Sequence, residues 1–352
     1  MKRGQLRTGS MEPLADHLAA LTGSRDRELL DVTLVGALVD MLRPHTAMVH
    51  RIVGEAPDQR WILRARLVAG AGAAESDPLS VDLDDLPRLA TQPERQTCLE
   101  QQRIIATEGP AWVTRFPMVS DSAAVGVFEI ETDDPLSADQ MRLVVSVLRI
   151  YRNFEELLDY SERDTLTGLL NRKTFDESFL RAAATATPGG ATAPAEDRRA
   201  ADASGPWLGV IDIDHFKRVN DEYGHLIGDE VLLLLGRLMR ASFRFHDRLY
   251  RFGGEEFVVL LRCGDAHGAA LAFERLRANV EKYALPRVGR VTVSVGFTAV
   301  RRGDSPSSAF ERADRAVYHA KENGRNRVVH HEDLVQSGAA VDQSPSGDVE
   351  LF

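Results

Sequence analysis

The sequence predicts an α+β protein of two domains. Three observations carry this. The first 135 residues read as helix, then antiparallel strands. A long helix opening on a capping box follows. The second half alternates helices with strands, as an α/β domain over one mixed sheet does. A length of 352 residues suffices for two cores, and 43% apolar with 27% charged residues is the balance of a globular chain. The net charge of −10 argues against a nucleic-acid coat or a basic membrane-binding surface, but leaves room for a nucleotide site, which needs only local cations. Cys98 and Cys263 lie far apart without metal-ligand spacing and read as reduced thiols of a cytoplasmic protein. Polar residues follow Lys2 and Arg3, so no leader is expected, and no apolar run is long enough to span a bilayer.

Residues 11–43 are predicted helical: Leu29, Leu30, Val32, Leu34, Val35, Leu38, Val39 and Leu42 recur at helical spacing, and Pro44 ends the run. Strands are expected at 46–53 and 61–68, then a polar, patternless stretch at 71–100. Further strands are expected at 103–107, 111–119 and 123–132, the last alternating through Val125, Val127 and Ile130. His50 reads as a strand histidine, not a ligand. Ser137 and Gln140 form a capping box for a helix assigned to the connector at 136–163. Within it Val144, Val147, Tyr151, Phe154 and Leu158 alternate steps of three and four, as in a coiled-coil seam; Leu143, Ile150 and Leu157 form a second stripe beside it. The seam is expected to pair with its copy in a homodimer. The alternative is a terminal helix packed on its own sheet.

The second domain is assigned to 164–331. A helix is predicted from Arg172 to Ala184, and residues 185–206, rich in Ala, Thr, Pro and Gly, are expected to be a disordered insertion. A buried strand at 207–211 precedes helices from His215 and Gly228. A hairpin, a helix at 266–283, a strand at 290–300, a helix at 306–323 and a strand at 327–330 complete the domain, with 332–352 expected to be disordered.

Two features carry chemistry. In Arg251-Phe-Gly-Gly-Glu-Glu-Phe257, Gly253 and Gly254 read as the two-residue loop of a β-hairpin, where positive φ favours glycine. The adjacent Glu255 and Glu256 repel, which suggests a nearby cation; a charged surface hairpin is the alternative. Asp212-Ile-Asp214 stands where a strand ends and a helix begins, the place ligands favour in α/β sheets. Asp212 and Asp214 share a face and could join the glutamates around Mg²⁺; alternatively Asp214 caps the helix.

These stretches, with Asp164-Thr-Leu-Thr-Gly-Leu-Leu-Asn-Arg172, Asn220-Asp-Glu-Tyr-Gly-His225, Gly228-Asp229, Ala320-Lys321 and Gly324-Arg325-Asn326, resemble the GGDEF domain of diguanylate cyclases over 164–330. The family has Asp at the first acidic position where this chain has Glu255; an acid is what the metal needs. The element order of 1–135 resembles GAF and PAS sensor domains in architecture alone. The GGDEF resemblance implies a palm-like fold and condensation of two GTP to cyclic di-GMP with two pyrophosphates released. It implies Mg²⁺ or Mn²⁺, two per GTP, on Asp212, the Ile213 carbonyl and Glu255, with Glu256 a further candidate. Glu255 would help deprotonate the attacking 3′-hydroxyl. Asn220 and Asp229 would read the guanine edge, Lys217, Lys321 and Arg325 would hold phosphates, and Phe216 would lie along them with the helix-start amides. Gly253 and Gly254 would let GTP approach. Arg244 and Asp247 have the RxxD form of the family's product-inhibition site, with Arg275 a secondary ligand. The alternative function is an inactive domain acting as a GTP or cyclic di-GMP receptor.

Overall fold

The computed structural model describes residues 11–23, 27–78, 81–120, 124–184 and 205–340. The chain divides into two compact units, Met1–Ser161 and Glu162–Phe352. Most of the insertion expected at 185–206, and the last residues of the expected tail, lie outside the described residues.

The first unit contains α1 (Met11–Gly23), α2 (Arg27–Leu42), β1 (Thr46–Val53), β2 (Arg60–Val68), α3 (Pro93–Gln101), β3 (Ile105–Glu108), β4 (Trp112–Val119), β5 (Ala124–Thr132) and α4 (Ala138–Glu162). The strands make an antiparallel sheet in the order β2-β1-β5-β4-β3. Alternation puts Ala47, Val49, Ala65, Phe116, Phe128 and Ile130 on one face, where they pack with Leu30, Leu34 and Leu38 of α2. The other face meets α3 through Trp61, Cys98, Leu99 and Val127.

Helix α3 falls within the stretch expected to be patternless. Only Cys98 and Leu99 of it are buried, too few to set a period; Pro93 at its start and Arg95 on the sheet fix it instead. Arg95 donates to Glu129 through Nε and Nη2 at 2.9 and 2.7 Å, and Arg115 Nε adds a bond at 2.8 Å. Burial would raise the Glu129 carboxyl, but Arg95, His50 and Arg115 hold it below its ordinary value. His50, 3.3 Å from Glu129, is pushed down to about 4 by burial and then by Arg95.

The capping box of α4 forms: Ser137 N donates to Gln140 Oε1 at 2.9 Å and Gln140 N to Ser137 Oγ at 3.3 Å. Its seam, however, faces inward. Val144, Val147, Tyr151 and Leu158 are buried in the sheet core and Phe154 packs against it. Burial contributes about 1.5–3 kcal/mol for each such side chain, so the stripe is committed to its own unit. The expected pairing of that seam with a second copy is therefore corrected. Three–four spacing is common to both arrangements; of the second stripe, Leu143 packs on the same core, Ile150 is half-buried and Leu157 is 65% exposed.

The second unit contains β6 (Leu170–Asn171), α5 (Arg172–Ala184), β7 (Gly205–Ile213), α6 (Phe216–Tyr223), α7 (His225–Ser242), β8 (Arg248–Gly253), β9 (Glu256–Cys263), α8 (Ala266–Lys282), the short pair β10 (Ala284–Leu285) and β11 (Gly289–Arg290), β12 (Val293–Ala299), α9 (Pro306–Glu322), β13 (Val328–His330) and α10 (His331–Gln336). A mixed sheet runs β13-β12-β7-β9-β8-β6, with parallel pairs at β12–β13 and β6–β8. Ile211, Ile213, Phe257, Val259, Val293 and Val295 pack on one face against α7 and α8, where Leu235, Met239, Phe273 and Leu276 are buried. On the other, Leu208, Val210, Tyr250 and Val258 meet Phe175 and Phe179 of α5 and Ala313 and Val317 of α9.

Helix α10 corrects the expectation that disorder begins at 332. His331 and Leu334 are buried, and Glu332 accepts from Thr298 Oγ1 at 2.7 Å. Helix α9 lies close to the sheet because Gly296 of β12 has no side chain: a Cβ there would stand 2.1 Å from the Ala313 carbonyl oxygen and 2.4 Å from the Val317 nitrogen.

Candidate active site

The hairpin forms with its loop one residue later than expected. Gly253 pairs with Glu256, so Gly254 and Glu255 make the turn. Gly253 and Gly254 have φ of 143° and 52°, which disfavour other residues. No heavy atom lies within 4 Å of where either Cβ would stand. The turn is thus glycine for its backbone shape, and its side-chain space is open.

Strand pairing aligns Asp212 with Glu256. Asp212 is 7% exposed, and Lys321 of α9 stands 2.7 Å from its Oδ1. Burial first, then the charges of Asp214 and Asp314, raise the Asp212 carboxyl above its ordinary value against the pull of Lys321. Burial raises Glu255 and Glu256 too, and in each the charge of Asp212 is the next cause. Crowded, half-desolvated carboxylates at a strand end are what a divalent cation relieves. Among the described residues, no three His, Cys, Asp or Glu side chains are arranged to hold a metal. Asp212 and Glu255 with a main-chain carbonyl need only two side chains and leave positions for phosphate oxygens and water.

Asp214 is committed elsewhere. Oδ1 accepts from Ser294 Oγ at 2.7 Å; Oδ2 accepts from Thr292 Oγ1 at 2.6 Å and from Asn326 N at 3.0 Å. It neither joins the open carboxylates nor caps α6, whose N-cap is His215 without a side-chain bond. Phe216 is 5% exposed in the core, so only its backbone is free to lie along a ligand at the start of α6.

Helices α6 and α7 bring Asn220 beside Gly228: a Cβ on Gly228 would stand 2.0 Å from Asn220 Oδ1. That close approach places Asn220 next to the turn of helix carrying Asp229. Among the described residues, the side chains of Lys217, Asn220, Asp229 and Arg325 make no hydrogen bond or ion pair.

Arg251 links two of the sequence motifs. Its Nη1 lies 3.0 and 3.1 Å from the Asp164 carboxylate oxygens, while Nε and Nη2 donate to the Gly254 carbonyl at 3.3 and 2.9 Å. Asp164 Oδ1 also accepts from Thr167 N and Oγ1 at 2.8 and 2.7 Å. Burial raises the Asp164 carboxyl, but the Thr167 and Arg251 bonds hold it below its ordinary value. Sequence reasoning singled out neither side chain; charged residues in two motifs were the only signal.

Arg244 and Asp247 close a turn: Arg244 N donates to Asp247 Oδ2 at 2.9 Å and Asp247 N to the Arg244 carbonyl at 3.0 Å. Burial pushes the Asp247 carboxyl up. Arg275 Nε donates to the Ser242 carbonyl at 2.7 Å, and its Nη2 bonds the same oxygen, so Arg275 caps the end of α7. Ser242 lies two residues before Arg244, so Arg275 is held at the entry to the turn with Nε and Nη2 occupied.

Residues 195–327 match the family model described as "Diguanylate cyclase, GGDEF domain". The chain is 40% identical over 168 residues to the diguanylate cyclase DgcP of Pseudomonas aeruginosa, covering 47% of this chain and 23% of that one. It is 36% identical over 190 residues to the diguanylate cyclase DgcM of Escherichia coli, covering 54% and 43%. The chain thus spans under half the length of these curated relatives. The crystal structure of the GGDEF domain of DgcB from Caulobacter crescentus in complex with c-di-GMP matches 49% of this chain and 94% of that one, with 35% identity and a TM-score of 0.42.

Replacing Arg251 leaves the Asp164 carboxylate and Gly254 carbonyl without their guanidinium. Arg251→Met is expected to lower the unfolding free energy of the second unit by about 2 kcal/mol, the scale of hydrogen bonds to charged groups, as read by urea titration.

Proposed function

We propose that the chain is a diguanylate cyclase built on a GGDEF domain, condensing two GTP into cyclic di-GMP. The observation that carries this is the meeting of Asp212, the Gly254-Glu255 turn and Lys321 at one strand end. The unpartnered Lys217, Asn220, Asp229 and Arg325 extend it, since polar groups without internal partners suit a polar ligand.

Asp229 accepts from the guanine N1–H and amino group, and Asn220 reaches N3. Lys217, Lys321 and Arg325 hold the phosphates, with the backbone at Phe216 and Gly254 alongside. Asp212, the Ile213 carbonyl and Glu255 would hold Mg²⁺ or Mn²⁺, which would supply charge stabilisation for the phosphoryl oxygens and lower the pKa of the attacking hydroxyl. Glu255 takes the proton as the 3′-oxygen attacks the α-phosphorus of the facing GTP. A P–O bond forms, the bond to the β-phosphate oxygen breaks, and pyrophosphate leaves. GTP as substrate makes the cytoplasm the place of reaction.

One site holds one GTP, so two copies must face each other. Ile150, half-buried, and Leu157, exposed, stand seven residues apart on α4, a heptad spacing that suits pairing with a second copy. The first unit, with its GAF-like order of elements, serves as the regulatory input. The closed turn of Arg244 and Asp247 suits cyclic di-GMP as a feedback inhibitor.

Incubating the full chain with GTP and Mg²⁺ is expected to yield cyclic di-GMP and two pyrophosphates per product. Glu255→Gln should lower turnover at least about a hundredfold, the scale of general-base loss; binding of GTP without product would favour the receptor reading. Charges at Ile150 and Leu157 (Ile150→Glu with Leu157→Glu) should cut turnover about tenfold at low protein concentration and restore it as concentration rises, by analytical ultracentrifugation and assay in parallel. Arg244→Ala should raise the inhibitory concentration of cyclic di-GMP about tenfold while leaving initial turnover unchanged.

A further inference from the structure

The loop after α9 carries Arg325 on a backbone that side-chain-bearing residues rarely adopt. Arg325 has φ 60° and Asn326 φ 47°, following Gly324 at 105°. Consecutive left-handed residues persist only where the surroundings hold them. Three attachments do so here. Arg325 N donates to the Ala320 carbonyl at 2.9 Å, closing the helix end. Asn326 N donates to Asp214 Oδ2 at 3.0 Å. The Asn326 side chain reaches α8 on both sides, accepting from Arg277 Nη1 at 2.8 Å and donating through Nδ2 to Glu281 Oε1 at 2.8 Å.

Asp214 is itself fixed. It is 4% exposed, its backbone N donates to the Thr292 carbonyl at 2.9 Å, and Thr292 and Ser294 hydroxyls occupy its two oxygens. Beyond the loop, Val295 N donates to the Arg327 carbonyl at 2.9 Å. The loop is therefore pinned before, at and after Asn326, while the Arg325 guanidinium between these pins has no partner among the described residues. A rigid loop that leaves a single cation unpaired loses little freedom when that cation binds an anion.

We propose that Asp214 and the Asn326–Arg277–Glu281 cluster are positioning residues for GTP: they lock the Gly324–Asn326 turn so that Arg325 is aimed at the phosphates, and Asp214 ligates no metal. This rests on the reading of Arg325 as a phosphate ligand. Both carboxylate oxygens and the backbone nitrogen of Asp214 are used by the protein. The cluster acts through Arg325, so its loss should matter only while Arg325 is present.

The test uses the full chain and 3′-deoxy-GTP with Mg²⁺, a nucleotide that lacks the attacking hydroxyl and reports binding without turnover. Arg325→Ala is expected to weaken binding about tenfold. Asn326→Gly keeps the left-handed backbone and removes only the side-chain anchors; it should weaken binding about threefold to tenfold, and have no further effect in the Arg325→Ala background. Asp214→Ala removes the acceptor for the Asn326 amide; it should weaken binding about threefold to tenfold, have no further effect in the Arg325→Ala background, and leave the Mg²⁺ half-saturation within about twofold of the parent chain. Thermal unfolding of each variant checks that it folds. Weakening by Arg325→Ala but not by Asn326→Gly or Asp214→Ala, additive losses in the double variants, or a several-fold rise in the Mg²⁺ half-saturation of Asp214→Ala would overturn the positioning role alone. Absence of binding by the parent chain would overturn the GTP reading; equal binding by Arg325→Ala would overturn Arg325 as a phosphate ligand and this proposal with it, leaving the GTP reading in place.

Discussion

The second unit turns on one guanidinium. Arg251 holds the Asp164 carboxylate with one nitrogen and the Gly254 carbonyl with the two others. Arginine suits this because its planar fork presents several fixed donors, where lysine offers a single point charge. The pair is separated by 87 residues, and Asp164 begins two residues after α4 ends. The turn that carries Glu255 therefore takes its shape from two sources: the positive φ of its glycines and a charge-assisted tie to the stretch that enters the unit. A cation pressed between an acid and a carbonyl also brings a positive charge behind a turn crowded with carboxylates.

Much of the fold was legible because its signals are local. The hairpin, the buried strand before Asp212 and the helix started by Pro306 depend on neighbours within a few residues. The same locality explains the slip of one residue in the loop: two glycines announce a turn, but the pairing of Gly253 with Glu256 depends on the bulge at Phe252, which alternation does not reveal. The α4 seam shows the opposite limit. Spacing identifies an apolar face and says nothing of whether a sheet or a second helix covers it. Helix α3 left no periodic mark because a charged residue, Arg95, supplies much of its anchorage.

The candidate site was legible in its open residues and obscure in its supports. Asp212, Asn220, Asp229, Lys321 and Arg325 stand in short motifs. What holds them comes from far along the chain: Asp214 receives Thr292, Ser294 and Asn326, partners 78, 80 and 112 residues away. Phe216 and Arg275 illustrate the converse. The family resemblance suggested ligand contact for both, whereas burial claims the ring of one and a helix-end carbonyl claims the other.

Gly296 sets how closely α9 lies over the candidate site, by an absence. With nothing projecting from β12 there, α9 rests backbone to backbone on the sheet, and Lys321 follows Val317 by one helical turn. The standoff of the helix from the strand below is thus a gauge cut by the main chain rather than by yielding side chains. A stiff rod seated on a hard stop can tilt or slide only as a whole. The Lys321 backbone inherits that stiffness, and the reach left to its four-carbon stem is set by the scaffold.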